Sequence, residues 1–480
     1  MIFLIFPTFL LFQIFVSAQA QAKPDQIIEI FRHGARGPLH DYDPSWKLSE
    51  YGALTPAGMR QQYVLGKVLA EKYSHLLGAD YDYNEIYMLS DSTPRCIQSA
   101  LAHLYGIYIN TGPALKKDYP RELAVPPYKD PLVKSIVDTL SNNEALRYNY
   151  LPNVISLIDP TKAYIFKPNG LPYCPNSIIW EEQNLKDAQA QHGLKIFADT
   201  LNNINKRLSP SQQITTLKDI KGIGEVTMCD LADNRVLPYG LGDDPQLVTN
   251  ITYAYAWAGF HIWGGQEIQR QLYGFGLIDS IIQQLTAFRE GKDFNRVAMY
   301  SGHDSNLYAI LAAFGVLTED CLLENFKSYT EDKTLKNPTC YFPFFASNIM
   351  IELYNTTNSP SVKFYYNNEV IPLCKGQASC TLDEFITFAR NATGNINLIG
   401  FLKKCGSPNT STQQSLNEPI AQLLKETGLK PYQSSDKMII MGLVTLCALL
   451  LAKMVYDNKK NAKIIRVLRG QNGSYNELNA

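Results

Sequence analysis

The stretch IIEIFRHGARGP, from Ile27 to Pro38, decides how the fold of this chain is interpreted. Its first half, Ile27–Phe31, is an apolar run rich in β-branched side chains, which predicts a buried strand of a parallel sheet. The glycines and the proline that follow are expected to end the strand in a tight loop. Basic side chains are therefore predicted at the carboxyl end of a strand, where open α/β sheets bind their ligands.

The loop carries Arg32, His33 and Arg36. Two guanidiniums this close together are difficult to bury unless an anion compensates them, and the oxygens of a phosphate match the guanidinium fork. Their positive charge is expected to keep His33 neutral, with a nitrogen lone pair free to attack phosphorus. An isolated Arg-His pair would be interpreted as part of a surface loop, but the full spacing R-H-G-x-R-x-P is specific enough to favour a catalytic loop.

This loop resembles the signature of the histidine acid phosphatases, a branch of the phosphoglycerate-mutase-like superfamily. The segment Leu54–Gly66 contains the L-T-x-x-G-x-x-Q pattern that follows the signature in that family. A predicted strand at 85–90 precedes Arg95, which matches the family's R-x-x-x-S-A pattern. A further predicted strand at 296–301 leads into His303 and Asp304, which match its second catalytic motif.

The resemblance implies an α/β fold of the phosphoglycerate-mutase-like kind, with a mainly parallel central sheet that has helices on both faces. It also implies a smaller, mostly helical cap domain, for which residues 112–285 are the candidate insertion. Amphipathic runs such as Trp180–Leu201, and a long helical pattern from Trp263 to about Leu285, agree with it. Two later runs, Asn348–Tyr354 and Val362–Tyr366, predict an antiparallel hairpin at the sheet edge.

The resemblance further implies acid phosphatase activity on a small phosphate monoester. In the family's mechanism His33 would be the nucleophile that forms a phosphohistidine, and Asp304 would be the general acid. The phosphate would be bound by four other side chains: Arg32, Arg36, Arg95 and His303. Gly37 and the residues after Asp304 depart from the usual family pattern, although neither departure removes a catalytic group.

Composition restricts the possible partners. The chain has 480 residues, a formal net charge of −1 and 19% charged residues, so nothing in it favours binding to nucleic acid. The seven histidines show no metal-ligand spacing and no C-x-x-C occurs, so neither a metal nor a cofactor is expected. A homodimer is possible on the resemblance alone.

Two apolar segments predict the topology. Residues 1–20 resemble a secretory signal peptide, with an uncleaved anchor as the alternative. Residues 438–456 predict a transmembrane helix, with a buried core helix as the alternative, and the basic residues of 457–480 place that flank in the cytoplasm. The catalytic domain, residues 21–435, is then expected in the lumen of lysosomes or endosomes, or outside the cell, as part of a single-pass type I protein.

Nine cysteines in a secreted domain predict disulfides. Spacing suggests a local Cys374–Cys380 pair, and the resemblance implies Cys174–Cys405 and Cys229–Cys340. The cysteines then expected to remain free are Cys96, Cys321 and Cys447. Sequons predict glycosylation at four positions: Asn250, Asn355, Asn391 and Asn409.

Two other functions compete with this interpretation. A phytase shares both motifs, but it needs an extended basic pocket, and the segment Leu39–Asp43 offers two acids and no Lys or Arg. A non-catalytic ectodomain that binds anions would need the arginines but neither His33 nor Asp304. The presence of both residues therefore favours an enzyme.

Overall fold

A central sheet around the Ile27–Phe31 run organises the structure, a computed structural model that describes residues 22–78, 81–82, 84–108, 156–169, 173–292, 294–355 and 359–407. Its strands are β1 (Gln26–Arg32), β2 (Ile86–Ser90), β3 (Ser156–Leu157), β4 (Val297–Gly302), β5 (Asn348–Tyr354), β6 (Ser361–Tyr366), β7 (Glu369–Val370) and β8 (Cys380–Thr381). Within the described residues the strands pair in the order β3-β2-β4-β1-β5-β6-β7, and β8 pairs with β6.

The parallel half of the sheet aligns three strand ends. β1 and β4 are parallel, and Arg32 of β1 lies opposite Gly302 of β4. β2 is parallel to β4 on its other side, with Ser90 opposite Ser301. The loops that follow β1, β2 and β4 therefore emerge side by side at one edge of the sheet.

The other half of the sheet is antiparallel. The predicted hairpin is confirmed, because β5 pairs antiparallel with both β1 and β6. Asn367 and Asn368, both at positive φ, connect β6 to β7, as expected for asparagines in a tight two-residue turn. The α/β fold with helices around a central sheet is thus confirmed, and the sheet itself is mixed.

Helices cover both faces of the sheet because β1 is apolar on both. Ile27 and Phe31 pack with residues of the first two helices, whereas Ile28 and Ile30 belong to the larger core on the opposite face. The helices in chain order are α1 (Pro56–Lys72), α2 (Pro94–Ile107), α3 (Asn176–Asn184), α4 (Ala188–Ile196), α5 (Ala198–Asn205), α6 (Leu217–Ala232), α7 (Pro245–Gly264), α8 (Glu267–Tyr273), α9 (Phe275–Arg289), α10 (Asp304–Ala313), α11 (Glu319–Asp332), α12 (Leu382–Ala392) and α13 (Leu398–Lys404). Single 3-10 turns occur at Leu48–Glu50, Pro160–Ile165, Pro210–Gln212 and Pro238–Asp243.

The described part of the predicted cap insertion, 156–169 and 173–285, is helical apart from the short strand β3 and the connecting loops. The helical pattern expected from Trp263 to about Leu285 is divided among the end of α7, then α8 and α9. α8 ends at Tyr273, and a side chain at the following Gly274 would come within 2.9 Å of Ile278 and 3.1 Å of the Ala309 carbonyl oxygen. This close approach explains why glycine is needed at the break.

Two of the three expected disulfides form, Cys174–Cys405 and Cys374–Cys380. The expected Cys229–Cys340 pair is wrong, because Cys340 is bonded to Cys321 at the start of α11. Their Cα atoms lie 6.2 Å apart, within the range that a disulfide requires. The reason is local: Asn325 of α11 donates its side-chain amide to the Cys340 carbonyl at 2.8 Å, which holds the loop against that helix. Cys229 and Cys96 are both free and buried.

Among the helices in the described part of the chain, none combines the length and apolar character needed to span a membrane. The predicted signal peptide (1–20), transmembrane helix (438–456), cytoplasmic tail (457–480) and the sequon at Asn409 lie outside the described residues. Asn355 and Asn391 are exposed, and Asn250 is half-buried on α7. Glycosylation at these positions stays a prediction.

Candidate active site

The three aligned strand ends bring the predicted residues together. Arg32 is the last residue of β1 and His33 follows it, while His303 and Asp304 follow β4. The His33 amide donates to the Gly302 carbonyl oxygen at 2.9 Å. On the other side, the loop after β2 leads into α2, whose second residue, Arg95, approaches His303 at the same edge of the sheet. The parallel register thus assembles residues that are more than 200 positions apart in the chain.

Two glycines let the motif loop (Arg32–Pro38) lie directly against the start of α1. A side chain at Gly34 would be 2.2 Å from the Gly58 carbonyl oxygen, and one at Gly58 would be 2.1 Å from the Ala35 carbonyl oxygen. Such distances are far shorter than any real carbon–oxygen contact. The glycines of the R-H-G and L-T-x-x-G patterns therefore form one close backbone crossing.

Side chains of α1 and α2 hold the loop in place. Gln62 donates to the Arg32 carbonyl at 2.7 Å, and Gln61 accepts from the Ala35 amide at 2.9 Å. Ser99 of α2 accepts from the Gly34 amide at 3.1 Å. Gln61 and Ser99 belong to the two patterns that follow the signature, so these patterns position the loop.

His33 is 1% exposed, and the orientation of its imidazole ring indicates which ring nitrogen carries the proton. Its Nδ1 lies 2.8 Å from the Gly34 carbonyl oxygen. A carbonyl only accepts hydrogen bonds, so Nδ1 carries the proton and Nε2 has a free lone pair. Burial, followed by the charges of Arg32, His303 and Arg36, lowers the pKa of His33 well below its usual value. The lowered pKa favours the neutral form of the His33 imidazole.

Arg32 connects the loop to the general-acid candidate. Its Nη2 lies 2.9 Å from Oδ2 of Asp304, and its Nη1 donates to the Pro343 carbonyl at 2.7 Å. The ring of Phe345 lies 4.1 Å from the guanidinium carbon. The cation is thus held by an acid, a carbonyl and an aromatic face.

Arg36 is paired with Glu225, an acid that sequence reasoning missed. Glu225 lies on α6 and accepts from Arg36, from the Leu39 amide at 3.1 Å and from His40 at 3.1 Å. Burial opposes ionisation, but these donors lower the pKa of Glu225 to about 2. It is therefore an anion that orients Arg36, although nothing in the local sequence around it marked this role.

His303 lies beside His33, with ring centroids 5.4 Å apart. Its Nε2 is 3.2 Å from the Asp91 carboxylate, and Arg95 approaches its Nδ1 at 3.4 Å. A carboxylate accepts and a guanidinium donates, so Nε2 carries the proton and Nδ1 is the acceptor. Asp91 was also missed, although an acid directly after the predicted strand at 85–90 could have indicated it.

Asp304 begins α10, and its Oδ1 accepts from the Ser305 amide at 2.8 Å. Burial favours the neutral acid, but the charges of Arg32 and Arg36 outweigh it and hold the pKa of Asp304 below its usual value. The following Asn306 accepts from the His303 amide at 2.8 Å and donates to the Phe166 carbonyl at 2.7 Å. The residues after Asp304 thus support the motif in a defined way.

Three guanidinium donors of the site lack acceptors among the described residues. The Nε–H groups of Arg32, Arg36 and Arg95 are buried, and none has a hydrogen-bond partner among the described residues. Buried donors are normally satisfied, so these three are available to a ligand oxygen. The oxygens of an oxyanion are suitable acceptors for such donors.

Lys221, on α6, is a second basic residue that sequence reasoning missed. Its ammonium lies 3.9 Å from the centre of the Trp263 ring. Burial lowers the pKa of Lys221, opposed by the charges of Asp304 and Glu181. Helix α6 therefore contributes a cation whose charge interacts with that of the general-acid candidate.

Residues 25–367 match the family model described as histidine phosphatase superfamily (branch 2). Mouse prostatic acid phosphatase is 24% identical over 387 residues, which cover 76% of this chain and 86% of the mouse protein. Rat lysosomal acid phosphatase is 24% identical over 374 residues, covering 74% of this chain and 75% of the rat protein. Putative acid phosphatase 5 of Caenorhabditis elegans is 21% identical over 451 residues, or 91% and 87% of the two chains.

Solved structures resemble this fold. The phytase of Klebsiella sp. ASR1 aligns with a TM-score of 0.53 and 13% identity, covering 77% of this chain and 96% of the phytase. The phytase of D. castellii also gives a TM-score of 0.53, with 15% identity and coverage of 81% and 83%. At this identity the similarity concerns the fold.

Proposed function

The chain belongs to the histidine phosphatase superfamily, branch 2, and from this membership we propose that it hydrolyses small phosphate monoesters through a phosphohistidine on His33. It is a histidine acid phosphatase, a phosphomonoesterase. The observation that carries the proposed mechanism is the His33 ring: its Nδ1 donates to the Gly34 carbonyl, so Nε2 is free beside three arginines.

The first step is transfer of the phosphoryl group to His33. Nε2 attacks phosphorus, the bond from phosphorus to the ester oxygen breaks, and the leaving oxygen takes a proton from Asp304. Arg32, Arg36 and Arg95 donate to the equatorial oxygens, whose charge they stabilise in the transition state. The products are an alcohol and phosphohistidine, with Asp304 ionised.

The second step returns the enzyme to its starting state. Asp304, now a carboxylate, accepts a proton from a water molecule that attacks phosphorus. The bond from phosphorus to Nε2 breaks, phosphate leaves, and His33 recovers its lone pair. Both steps conserve protons, because the proton given to the alcohol is replaced by one from water.

Asp304 needs its proton when the substrate is bound. The negative charge of a phosphate ester would offset the same guanidiniums that lower the pKa of Asp304, which raises that pKa in the complex. An acidic medium supplies the proton. This supports an enzyme that works at acidic pH, with His33 neutral there because its own pKa is lowered.

The central experiment is a phosphatase assay of the recombinant chain at acidic pH with an aryl phosphate. We expect turnover, a phosphoenzyme that is stable in base and labile in acid after rapid quenching, and loss of both in His33→Ala. A non-catalytic anion-binding protein would give no turnover in the wild-type chain. Turnover that survives in His33→Ala would contradict the role proposed for His33.

We also propose a preference for simple monoesters over phytate. The charge of Arg36 is already neutralised by Glu225, and that of Lys167 is paired with Asp91, whereas phytate needs many free cations. A higher kcat/KM for phytate than for small aryl or sugar phosphates would contradict this.

We propose that the chain is a single-pass type I membrane protein with its catalytic domain in the lumen or outside the cell. The sequences of residues 1–20 and 438–480 support this location. Expression of a chain truncated after Ser435 should release a soluble, glycosylated and active enzyme. The full-length protein should resist extraction from membranes by carbonate. If the full-length protein is extracted, the membrane anchor is wrong.

A further inference from the structure

Three metal-binding side chains meet behind the proposed catalytic pair. His303 Nε2 lies 3.2 Å from Asp91 Oδ1 and 3.6 Å from Cys96 Sγ. All three donor atoms lie within 4.8 Å of one another. We propose that Asp91, Cys96 and His303 form a binding site for one zinc-like divalent cation, which inhibits the enzyme when bound.

The two distances from His303 Nε2 match tetrahedral zinc. Zinc binds nitrogen and oxygen at about 2.0–2.2 Å and sulfur at about 2.3 Å. Two ligands of a tetrahedron are then about 3.3 Å apart for nitrogen and oxygen, and about 3.6 Å apart for nitrogen and sulfur. The observed separations from His303 Nε2 are 3.2 Å and 3.6 Å, so a cation can bind with little movement of the side chains.

Binding changes the protons of two ligands. The Cys96 thiol must lose its proton, which leaves to solvent, because the thiolate is the metal ligand. On His303 the proton must move from Nε2, which would bind the cation, to Nδ1. The cation thus replaces one thiol proton, and its two positive charges are matched by the Asp91 carboxylate and the Cys96 thiolate.

Charged neighbours affect the site from several sides. Lys167 lies 3.2 Å from the second oxygen of Asp91 and remains its partner. The guanidinium of Arg95, 3.4 Å from His303 Nδ1, repels the bound cation. Once Nδ1 is protonated it can no longer accept from Arg95, so the guanidinium must move away. The charge of Asp304 favours cations near His303. Burial, followed by the charge of Asp91, raises the pKa of Cys96, so thiolate formation depends on the cation itself.

Inhibition follows from the loss of the Arg95–His303 contact. Both residues belong to the proposed phosphate-binding set, so moving Arg95 and reversing the His303 tautomer weakens stabilisation of the phosphoryl group. This consequence rests on the proposed function, whereas binding of the cation does not. The two parts are therefore measured separately.

The binding test is calorimetric titration of the full chain with Zn²⁺ at pH 7.5, in a buffer that does not bind metal. Cys229→Ser is the matched control, because Cys229 is the other buried free thiol among the described residues and lies next to Glu225. We expect Cys96→Ser to weaken Zn²⁺ binding by at least about 100-fold, and Cys229→Ser to leave it unchanged. Equal binding by wild type and Cys96→Ser overturns the site.

A spectroscopic test does not depend on the folding of a variant. Co²⁺ added to the wild-type chain should produce a near-ultraviolet charge-transfer band from thiolate to cobalt and the visible bands of tetrahedral cobalt. The band should be absent in Cys96→Ser and present in Cys229→Ser. Binding of Co²⁺ without a thiolate band, or with a band lost only in Cys229→Ser, contradicts the assignment.

The pH dependence supplies a third observable. Because one proton is released, affinity for Zn²⁺ should fall about tenfold for each pH unit below 7.5. Phosphatase inhibition by Zn²⁺ should weaken in parallel and be lost in Cys96→Ser. Binding that is confirmed without inhibition would leave the site in place and overturn only its inhibitory effect, while absence of any phosphatase activity would overturn the proposed function instead.

Discussion

Arg32 and Asp304 form an ion pair, with 2.9 Å between Nη2 of the arginine and Oδ2 of the acid. Arg32 ends β1 and Asp304 begins α10, so the pair joins the segment of the proposed nucleophile to the segment of the proposed acid. The arginine proposed to bind phosphate thereby also lowers the pKa of the proposed acid. Under the proposed mechanism, this contact links the proposed reaction at His33 to the protonation of Asp304.

Asp304→Asn should separate the acid from the nucleophile. The amide keeps the size of the side chain but cannot protonate a leaving group. We expect a loss in kcat of about 10²–10⁴-fold for alkyl phosphates, and a much smaller loss for activated aryl esters. Steady-state kinetics with both substrate types measure the difference, and His33→Ala serves as the control that loses both. Equal losses would mean that Asp304 acts structurally.

The acid limb of the pH profile should lie well below pH 6.5. His33 must be unprotonated to attack, and burial together with Arg32, His303 and Arg36 lowers its pKa. As pH falls, kcat/KM for an aryl phosphate should stay high until that lowered pKa is reached. Measurement of kcat/KM from acidic to neutral pH tests this, and an acid limb centred near pH 6.5 would contradict it.

Gly34→Ala and Gly58→Ala should both damage the motif loop. Each added carbon would meet backbone oxygen at 2.2 Å or 2.1 Å, and backbone cannot rotate away as a side chain can. We expect each to lower the free energy of unfolding by roughly 1–3 kcal/mol or more, and to lower activity further by displacing His33. Gly242→Ala is the control, because its nearest neighbour would be at 3.6 Å. Denaturant unfolding and activity assays compare the three variants.

Asp230→Asn should stabilise the protein at neutral pH. Burial and neighbouring Asp43 raise the pKa of Asp230 to about 7, although Trp46 donates to it at 2.6 Å. The folded state therefore holds a proton that the unfolded chain releases near pH 4, so stability falls as pH rises from about 4 to about 7.

Asparagine removes that dependence, and the gain at pH 7 should be roughly 2–4 kcal/mol. Chemical unfolding at pH 4.5 and pH 7 measures it, with the exposed Asp199→Asn as the control. If wild type and Asp230→Asn lose stability equally between these two pH values, Asp230 does not hold the proton.

Peptide mapping without reduction should recover Cys321 joined to Cys340, and no peptide joining Cys229 to Cys340. Cys229 is buried, so an alkylating reagent should label it only after unfolding. Cys340→Ser should lower the free energy of unfolding by about 2–4 kcal/mol, because it opens a loop in the unfolded chain. Rapid labelling of Cys321 in the folded wild type would contradict this pairing.

Much of the site could be predicted because its residues lie in short local patterns. The run Ile27–Phe31 identified the central strand by its apolar side chains, and the glycines of the motif loop marked its turn. His33 and Asp304 each follow a recognisable strand, and parallel strands end at a common edge. What could not be predicted were their partners, since Glu225 and Lys221 lie on a cap helix whose sequence carries no comparable signal.

By itself, the sequence determined the elements around the site and the candidates for the reacting groups, because strand periodicity, turn glycines and motif spacing are properties of neighbouring residues. Only the tertiary structure decided that Glu225 neutralises Arg36, that Cys340 pairs with Cys321, and that His303 meets Asp91 and Cys96. These contacts depend on strand register and on how helices pack across the sheet. Ion pairs, disulfides and shared ligand sites require atoms within a few ångströms of one another. Partners distant in the chain therefore become recognisable only when the fold brings them together.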